Sequence, residues 1–451
     1  MNKIETHHPR VPWNWVAWMT GPWLVLFYID NVADGGPLTF TIRKFVENPM
    51  LIGLLSSMSV AFTFTVGAAA SYMSDRIWTR WGRRRPFLMA GWMGVAMAMF
   101  MLPLAPNIWV LVAILLVMQF CAAVAKPVEP LYNEIVPPCQ RGRAGTIRNV
   151  AQQLLGLLFF GVMVVQFDDV HAFTVFGRAF RLSGEIALYW SGGLIALLGV
   201  LFLAFRVRET PPRVPVVHEP TGVMGFFRDV FGHRQWWMVY LLYLTPMLGP
   251  GGGSFGVLMK TEQLGFTKAE HGYAVSIGMI AVIVLFSPVA GYLTDKTSRM
   301  RLLRIGIVGP AFVELIYFLY LRYVADYSIP LSTAILFGLV GSALKTCAYL
   351  VWGALVFDYI PSNRFGTVSA GLTFFAGLTP FLMINLAGLW ITGFTEVFGP
   401  AGRGQYDYSS VYVLQVACAA GALWITYWFQ REERKGNVLP LGRLEAAELN
   451  E

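Results

Sequence analysis

The chain has 451 residues, of which 56% are apolar, 15% aromatic and only 13% charged. A water-soluble domain carries about 25% charged residues, so a soluble globular fold is excluded. The formal net charge of +8 is scattered through loops between apolar runs, a distribution that argues against a nucleic-acid-binding face.

Apolar runs long enough to cross a hydrocarbon core roughly 30 Å thick as helices recur along nearly the whole sequence. A strand-built barrel would show short alternating segments instead. Twelve spans are predicted, at 13–33, 49–73, 87–105, 107–132, 149–167, 185–205, 235–257, 271–294, 302–323, 330–357, 366–394 and 410–429. Residues 1–12 are polar and show no small-residue cleavage site, so they are expected to be a cytoplasmic N-terminus, with the first helix kept as an anchor. Residues 13–205 read as an N-terminal six-helix bundle and 235–429 as a C-terminal one. Between them, 206–234 is rich in proline and charge and reads as a cytoplasmic linker, and 430–451 as a cytoplasmic tail. Lysine and arginine concentrate in the loops after spans two, four, six, eight, ten and twelve, which predicts an inner-membrane protein with both termini in the cytoplasm. Cys121, Cys347 and Cys418 lie in apolar runs and Cys139 in a loop, without metal-ligand spacing, and are expected to pack rather than to bind a metal.

The first span carries Trp15, Trp18 and Trp23, whose rings suit sugar stacking, although interfacial anchoring explains Trp13 and Trp15 more simply. Asp30 and Asp34 stand one helical turn apart near its outer end, placed to attract a cation or to cap the helix. After the second span comes SDRIWTRWGRRRPF, with five arginines behind Asp75. The fourth span ends MQFCAAVAKPVEPLYNEIVPP, where Lys126 and Glu129 are three residues apart and so on one helix face. A charge at membrane depth costs about 3 kcal/mol on insertion scales, so such residues pair or line a cavity: either Lys126 and Glu129 form a structural pair near the cytoplasmic end, or Glu129 is the carboxylate expected to couple transport to the driving ion, ahead of Asp30, Asp34 and Glu314. The fifth span opens GTIRNVAQQLLG, in which Arg148, Asn149 and Gln152 offer the guanidinium and amide groups that hydroxyl-rich ligands need; a lipid-interface arginine is the plainer reading of Arg148. In the seventh span, Gly251, Gly252 and Gly253 follow two prolines; they form either a flexible gate or the outer loop of a helix ending at Leu248. Glu314 in the ninth span and Lys345 in the tenth are intramembrane ions and candidates for a solute or coupling site.

The halves repeat one another. Asp295-Lys296 after the eighth span matches Asp75-Arg76 after the second. NEIVPPCQRGRAGT after the fourth matches FDYIPSNRFGT after the tenth: Glu134 and Asp358 each precede a proline by three residues, and Arg141 and Arg364 follow in a glycine turn. Two similar six-helix halves around a midplane site are the architecture of a rocker-type carrier.

Asp75-Arg76 with Gly82-Arg83-Arg84-Arg85-Pro86 resembles the loop between the second and third helices of the major facilitator superfamily. The inserted IWTRW and the ending GRRRPF are similar to those of glycoside–pentoside–hexuronide cation symporters and sucrose–proton symporters. The resemblance implies an all-α polytopic fold of twelve helices in two pseudo-symmetric bundles. It implies a conformational latch at Asp75, Arg76, Gly82, Arg83 and Arg84; by repeat symmetry Asp295 serves the other half, and Glu134, Arg141, Asp358 and Arg364 belong to the inner gate. In the sucrose symporters an arginine stands where Glu129 falls here, which speaks against sucrose itself. An arginine of the fifth helix binds sugar in the melibiose-type branch, and Arg148 is its loose counterpart.

The expected function is cation-coupled symport, by proton or sodium, of a sugar or glycoside by alternating access. The expected partners are that solute and the bilayer, with no nucleic acid and no cofactor, the chain acting as a monomer. The alternatives are an exporter or permease for another small solute, or a non-transporting member that binds pigment or assists assembly. No nucleotide-binding motif, HExxH or nucleophile elbow is present, so an enzyme is not expected.

Overall fold

The computed structural model describes residues 12–34, 36–128, 131, 141–175, 178–207, 209, 228, 230–249, 253–357, 359–360 and 365–438. Helices dominate because a chain crossing lipid must satisfy its backbone hydrogen bonds within each segment. In order they are α1 (Trp13–Asp34), α2 (Pro37–Arg43), α3 (Pro49–Phe62), α4 (Ala68–Arg76), α5 (Arg85–Met101), α6 (Ile108–Val124), α7 (Arg141–Leu158) and α8 (Gly184–Phe205). There follow α9 (Arg234–Leu244), α10 (Gly253–Leu258), α11 (Lys268–Ala281), α12 (Ser287–Lys296), α13 (Arg299–Tyr323), α14 (Leu331–Phe357), α15 (Phe365–Phe398) and α16 (Val411–Arg434). Apart from short α2, they account for the predicted spans one for one. The second span is α3 and α4, the seventh α9 and α10, and the eighth α11 and α12. Among the described residues, eight helices are long and apolar enough to cross a membrane by length and composition alone.

Polar side chains set where helices begin. Asn48 accepts from Met50 N at 2.8 Å before α3, and Asn107 from Val110 N at 3.0 Å before α6. Thr267 and Glu270 form a reciprocal capping box at α11. The second and eighth spans each pass through a π-helical turn, Thr63–Gly67 and Val282–Phe286, about a dozen residues ahead of Asp75 and Asp295. The repeat seen in the loops thus extends to an irregularity inside the helices, and such turns are frequent at functional sites.

One element departs from the all-helical reading. Val170–Val175 (β1) and Arg178–Ser183 (β2) pair antiparallel, in register from Val170↔Ser183 to Val175↔Arg178, between spans five and six. VHAFTV and RAFRLS are rich in β-branched and aromatic residues. Each strand is too short to span a bilayer, and their pairing satisfies backbone groups within the connection between spans five and six.

The chain divides into two compact units: Met1–Thr41 with Thr65–Arg213, and Ile42–Phe64 with Val214–Glu451. In the first, small residues of α8 face inward and large ones outward. A side chain at Gly199 would press on Val25 at 2.8 Å and on Trp92 at 3.0 Å, whereas Leu194, Leu198, Leu201 and Phe205 are exposed. This inverted pattern suits lipid, where close backbone packing rather than water exclusion joins helices. Cys121 packs against Gly91 and Gly94 of α5, the packing role expected of it.

In the second unit α3 lies on α15 through small residues. A Cβ at Gly53 would stand 3.1 Å from Phe255 and 3.2 Å from the Ile384 carbonyl, and one at Gly388 would stand 2.9 Å from the Pro49 carbonyl. Asn385 Nδ2 donates to Ser57 Oγ at 2.8 Å across this contact, and Ser254 Oγ donates to Ser56 Oγ at 3.0 Å.

Candidate functional site

In the first unit, α1 collects two cations. Helix α6 stops at Val124, and a tight turn places Lys126 over Gly67, where a Cβ would meet its Cγ at 3.3 Å. Lys126 Nζ then stands 3.7 Å from Asp30 Oδ1, with 27% and 49% of the two side chains exposed. Arg148 of α7 lies with its guanidinium carbon 4.1 Å over the ring centre of Trp23. Trp23 and Asp30 are two turns apart on α1, hence on one face. Gln152 is half-buried on the same helix as Arg148, whereas Trp18 is exposed and stacks on Phe202 at 6.4 Å, apart from this cluster.

The second unit holds the tighter site. Lys345 Nζ of α14 donates to Glu314 Oε1 of α13 at 2.8 Å. Glu314 is 15% exposed and Lys345 39%. Glu314 Oε2 and the hydroxyl of Tyr317, one turn further along α13, are buried without hydrogen-bond partners among the described residues. The Tyr317 ring stacks on Phe337 at 4.5 Å and lies 5.8 Å from Tyr412 of α16. Lys260, in the π-helical turn Met259–Gln263 that follows α10, feels the charge of Lys345, and Tyr412 feels that of Glu314. A buried polar atom left unsatisfied costs about 1–3 kcal/mol, so these two oxygens are poised for a proton or a ligand hydroxyl. Sequence reasoning named Glu314 and Lys345. It missed Lys260, Tyr317 and Tyr412; the three-residue spacing of Tyr317 from Glu314 was the only local signal.

The arginine loop after the second span is held by a residue read as linker. Thr79 and Gly82 bridge backbone to backbone at 3.0 Å, and Thr79 Oγ1 donates to the Gly82 carbonyl at 2.7 Å. Gly82 adopts φ +107°, and a Cβ there would lie 2.9 Å from Glu209 Cδ. The Glu209 carboxylate accepts from the backbone N–H of Arg83 at 2.9 Å, Arg84 at 3.2 Å and Arg85 at 2.8 Å. These are the donors that α5 leaves unsatisfied at its N-terminus, so one carboxylate both caps the helix and complements its dipole. Arg84 and Arg85 are buried, and Arg85 Nη2 donates to the Ala204 carbonyl at 2.8 Å.

In the seventh span, α9 ends at Leu244, a 3-10 turn runs over Thr245–Met247, and helix resumes at Gly253. Gly253 is exposed, with open space where a Cβ would stand. Glu129, Glu134, Gly251, Gly252, Asp358 and Arg364 lie outside the described residues, as do the side chains of Asp34, Asp75, Arg76, Arg141, Asn149 and Asp295.

Sequence reasoning also passed over a buried polar knot in the second unit. Asp407 accepts from Arg322 Nη1 at 2.7 Å, Gln263 Nε2 at 2.9 Å and Ser409 Oγ at 2.6 Å. Nearby, Arg43 pairs with Glu262, which also accepts from the Tyr408 hydroxyl at 3.2 Å. The loop GRGQYDYSS gives no local hint of these distant partners.

Ion pairs kept inside apolar helices, in two units with repeated loops and repeated π-helical turns, define a polytopic membrane carrier. The sequence profile of the Major Facilitator Superfamily matches residues 15–382, and the chain belongs to that family. Among solved structures it is similar to a D-xylose–proton symporter, at 15% identity over 92% of this chain and 96% of that one, TM-score 0.66. It is similar to a bacterial homologue of the human lysosomal transporter Spinster, at 16% identity over 93% and 98%, TM-score 0.65. The nucleoside transporter NupG matches at 13% identity over 93% and 100%, TM-score 0.65. No curated protein matches the sequence. The protein is thus a membrane transporter and not an enzyme.

Proposed function

We propose that the protein carries a small polar solute, a sugar or glycoside, by alternating access coupled to a cation, and that Glu314 takes up the coupling proton. The observation that carries this reading is the Glu314 carboxylate, one oxygen on Lys345 at 2.8 Å and the other buried without a partner. Ionised, Glu314 holds the Lys345 ammonium. A proton arriving at Oε2 neutralises the carboxylate, weakens the pair and leaves the ammonium able to donate to a solute oxygen. Lys260, which feels the charge of Lys345, adds a second amine to the same part of the unit. The solute class these donors suit is one with several oxygen acceptors. The similarity to a D-xylose–proton symporter agrees with this reading. The alternating basic loops support a cytoplasmic location for both termini.

The test is uptake by purified protein in proteoliposomes, across a panel of sugars, glycosides and nucleosides, under imposed proton or sodium gradients. Accumulation of a sugar that follows the proton gradient is the expected result. Accumulation driven only by sodium would remove the assigned proton, and uptake confined to nucleosides would remove the assigned solute.

A further inference from the structure

A cavity of about 600 Å³ opens elsewhere in the second unit, where the start of α13 meets the end of α16. Arg301, Arg304, Arg431, Arg434 and Lys435 line it, and no acidic residue does among those described. Arg304 is held in place: its Nε donates to Thr426 Oγ1 at 3.0 Å and its Nη2 to Gln430 Oε1 at 2.8 Å, with its guanidinium carbon 3.8 Å over the Tyr427 ring. Of the two acids between Arg431 and Arg434, Glu432 pairs with Lys435 of the cavity at 2.8 Å and with Arg234 at 3.8 Å, and Glu433 accepts from the Tyr359 hydroxyl at 3.0 Å. Arg301, Arg431 and Arg434 have no carboxylate within salt-bridge distance among the described residues. Ser298 also lines the cavity and makes no side-chain cap for α13, so the first-turn N–H groups and the positive end of the helix dipole add to the field there. Like charges this close repel one another unless an anion lies among them.

The surface beside the cavity shows what kind of anion fits. Arg301, Ile305, Val308 and Phe312 fall on one stripe of α13 at helical spacing, and Trp424, Tyr427, Arg431 and Arg434 on one stripe of α16. The apolar members of both stripes are exposed. Two bare apolar tracks therefore run from the bilayer into a basic pocket at the helix ends. A soluble phosphate would use the pocket and leave the tracks empty, whereas a phospholipid uses both.

We propose that this cavity is a site for the phosphate of an anionic phospholipid, with the headgroup among Arg301, Arg304, Arg431 and Arg434 and the acyl chains along the exposed stripes. A basic pocket between helices at the membrane boundary gains about a five-fold increase in affinity per cation near an anionic lipid surface.

Native mass spectrometry of the full chain in detergent, titrated with phosphatidylglycerol, phosphatidylcholine or inorganic phosphate, tests the assignment. The parent should retain phosphatidylglycerol, and Arg301→Gln with Arg434→Gln should weaken it roughly 30-fold. Arg80→Gln with Arg228→Gln, an equal loss of charge at exposed positions outside the cavity, should leave it unchanged. Equal retention by the pocket variant, equal retention of phosphatidylcholine, or displacement of the lipid by millimolar inorganic phosphate would each overturn the proposal. A reading that needs no variant is the rate at which phenylglyoxal modifies Arg301 and Arg434 in the parent. Phosphatidylglycerol should slow it and phosphatidylcholine should not; equal rates with both lipids would count against the site.

Discussion

Glu209 and Arg85 are joined by a 2.8 Å bond from the Arg85 backbone N–H to the Glu209 carboxylate, which also holds the N–H groups of Arg83 and Arg84. A residue just after α8 thus caps α5 and fixes the basic loop. Glu209→Ala should cost about 1.5–3 kcal/mol, the range for hydrogen bonds to a charged group. Gly82→Ala should also destabilise, since φ is +107° and Glu209 occupies the space. Thermal unfolding in detergent, together with protease cleavage between Ile77 and Arg83, reads both. Parent-like melting and cleavage in Glu209→Ala would show that the cap contributes nothing.

The Glu314–Lys345 pair makes opposite demands on stability and transport. Removing one partner leaves an uncompensated charge among apolar helices, so Lys345→Met should destabilise by about 3–5 kcal/mol. Lys345→Met with Glu314→Leu should recover most of that loss while staying inactive. Melting and uptake measured on the same preparations separate the two effects. A stable and active double variant would make the pair dispensable.

Asp407 is fully buried, and its partners Arg322, Gln263 and Ser409 come from three separate parts of the sequence. Asp407→Ala strands the Arg322 guanidinium and should lower stability by about 3–5 kcal/mol. Because the knot is distinct from the Glu314 site, the folded fraction of Asp407→Ala should retain solute affinity. Binding by that fraction, measured by calorimetry, checks this; lost affinity with unchanged melting would place Asp407 in the solute path.

The contact of α3 with α15 rests on small residues at Gly53, Ser57 and Gly388. Gly53→Val forces a branched side chain against Phe255 and the Ile384 carbonyl, and overpacking of this kind costs about 1–3 kcal/mol. Cysteine pairs placed across α3 and α15 should crosslink more slowly in Gly53→Val than in the parent. Unchanged crosslinking and melting would mean that the helices do not pack this closely.

The spans were legible because hydropathy over some twenty residues is a signal that needs no partner. Glu314 and Lys345 were legible for the same reason, as charges standing out against apolar helices. The hairpin at Val170–Ser183 was not, since two six-residue strands flanked by helices carry too short a pattern. Glu209, Lys260 and Asp407 were hidden for another reason: each acts on residues far away in sequence, and Glu209 sits in a stretch whose prolines and charges read as linker. The approach of Lys126 to Asp30 of α1 depends on α6 ending at Val124, which a helix-face argument overlooks.

The most direct test of the account is Glu314→Gln in proteoliposomes, assayed both for proton-driven accumulation of a transported sugar and for exchange with no gradient. The amide mimics the protonated acid, so exchange should continue near the parental rate while accumulation above equilibrium is lost. If Glu314→Gln concentrates the sugar as the parent does, Glu314 is not the coupling group, and that role passes to Glu129 or Asp30.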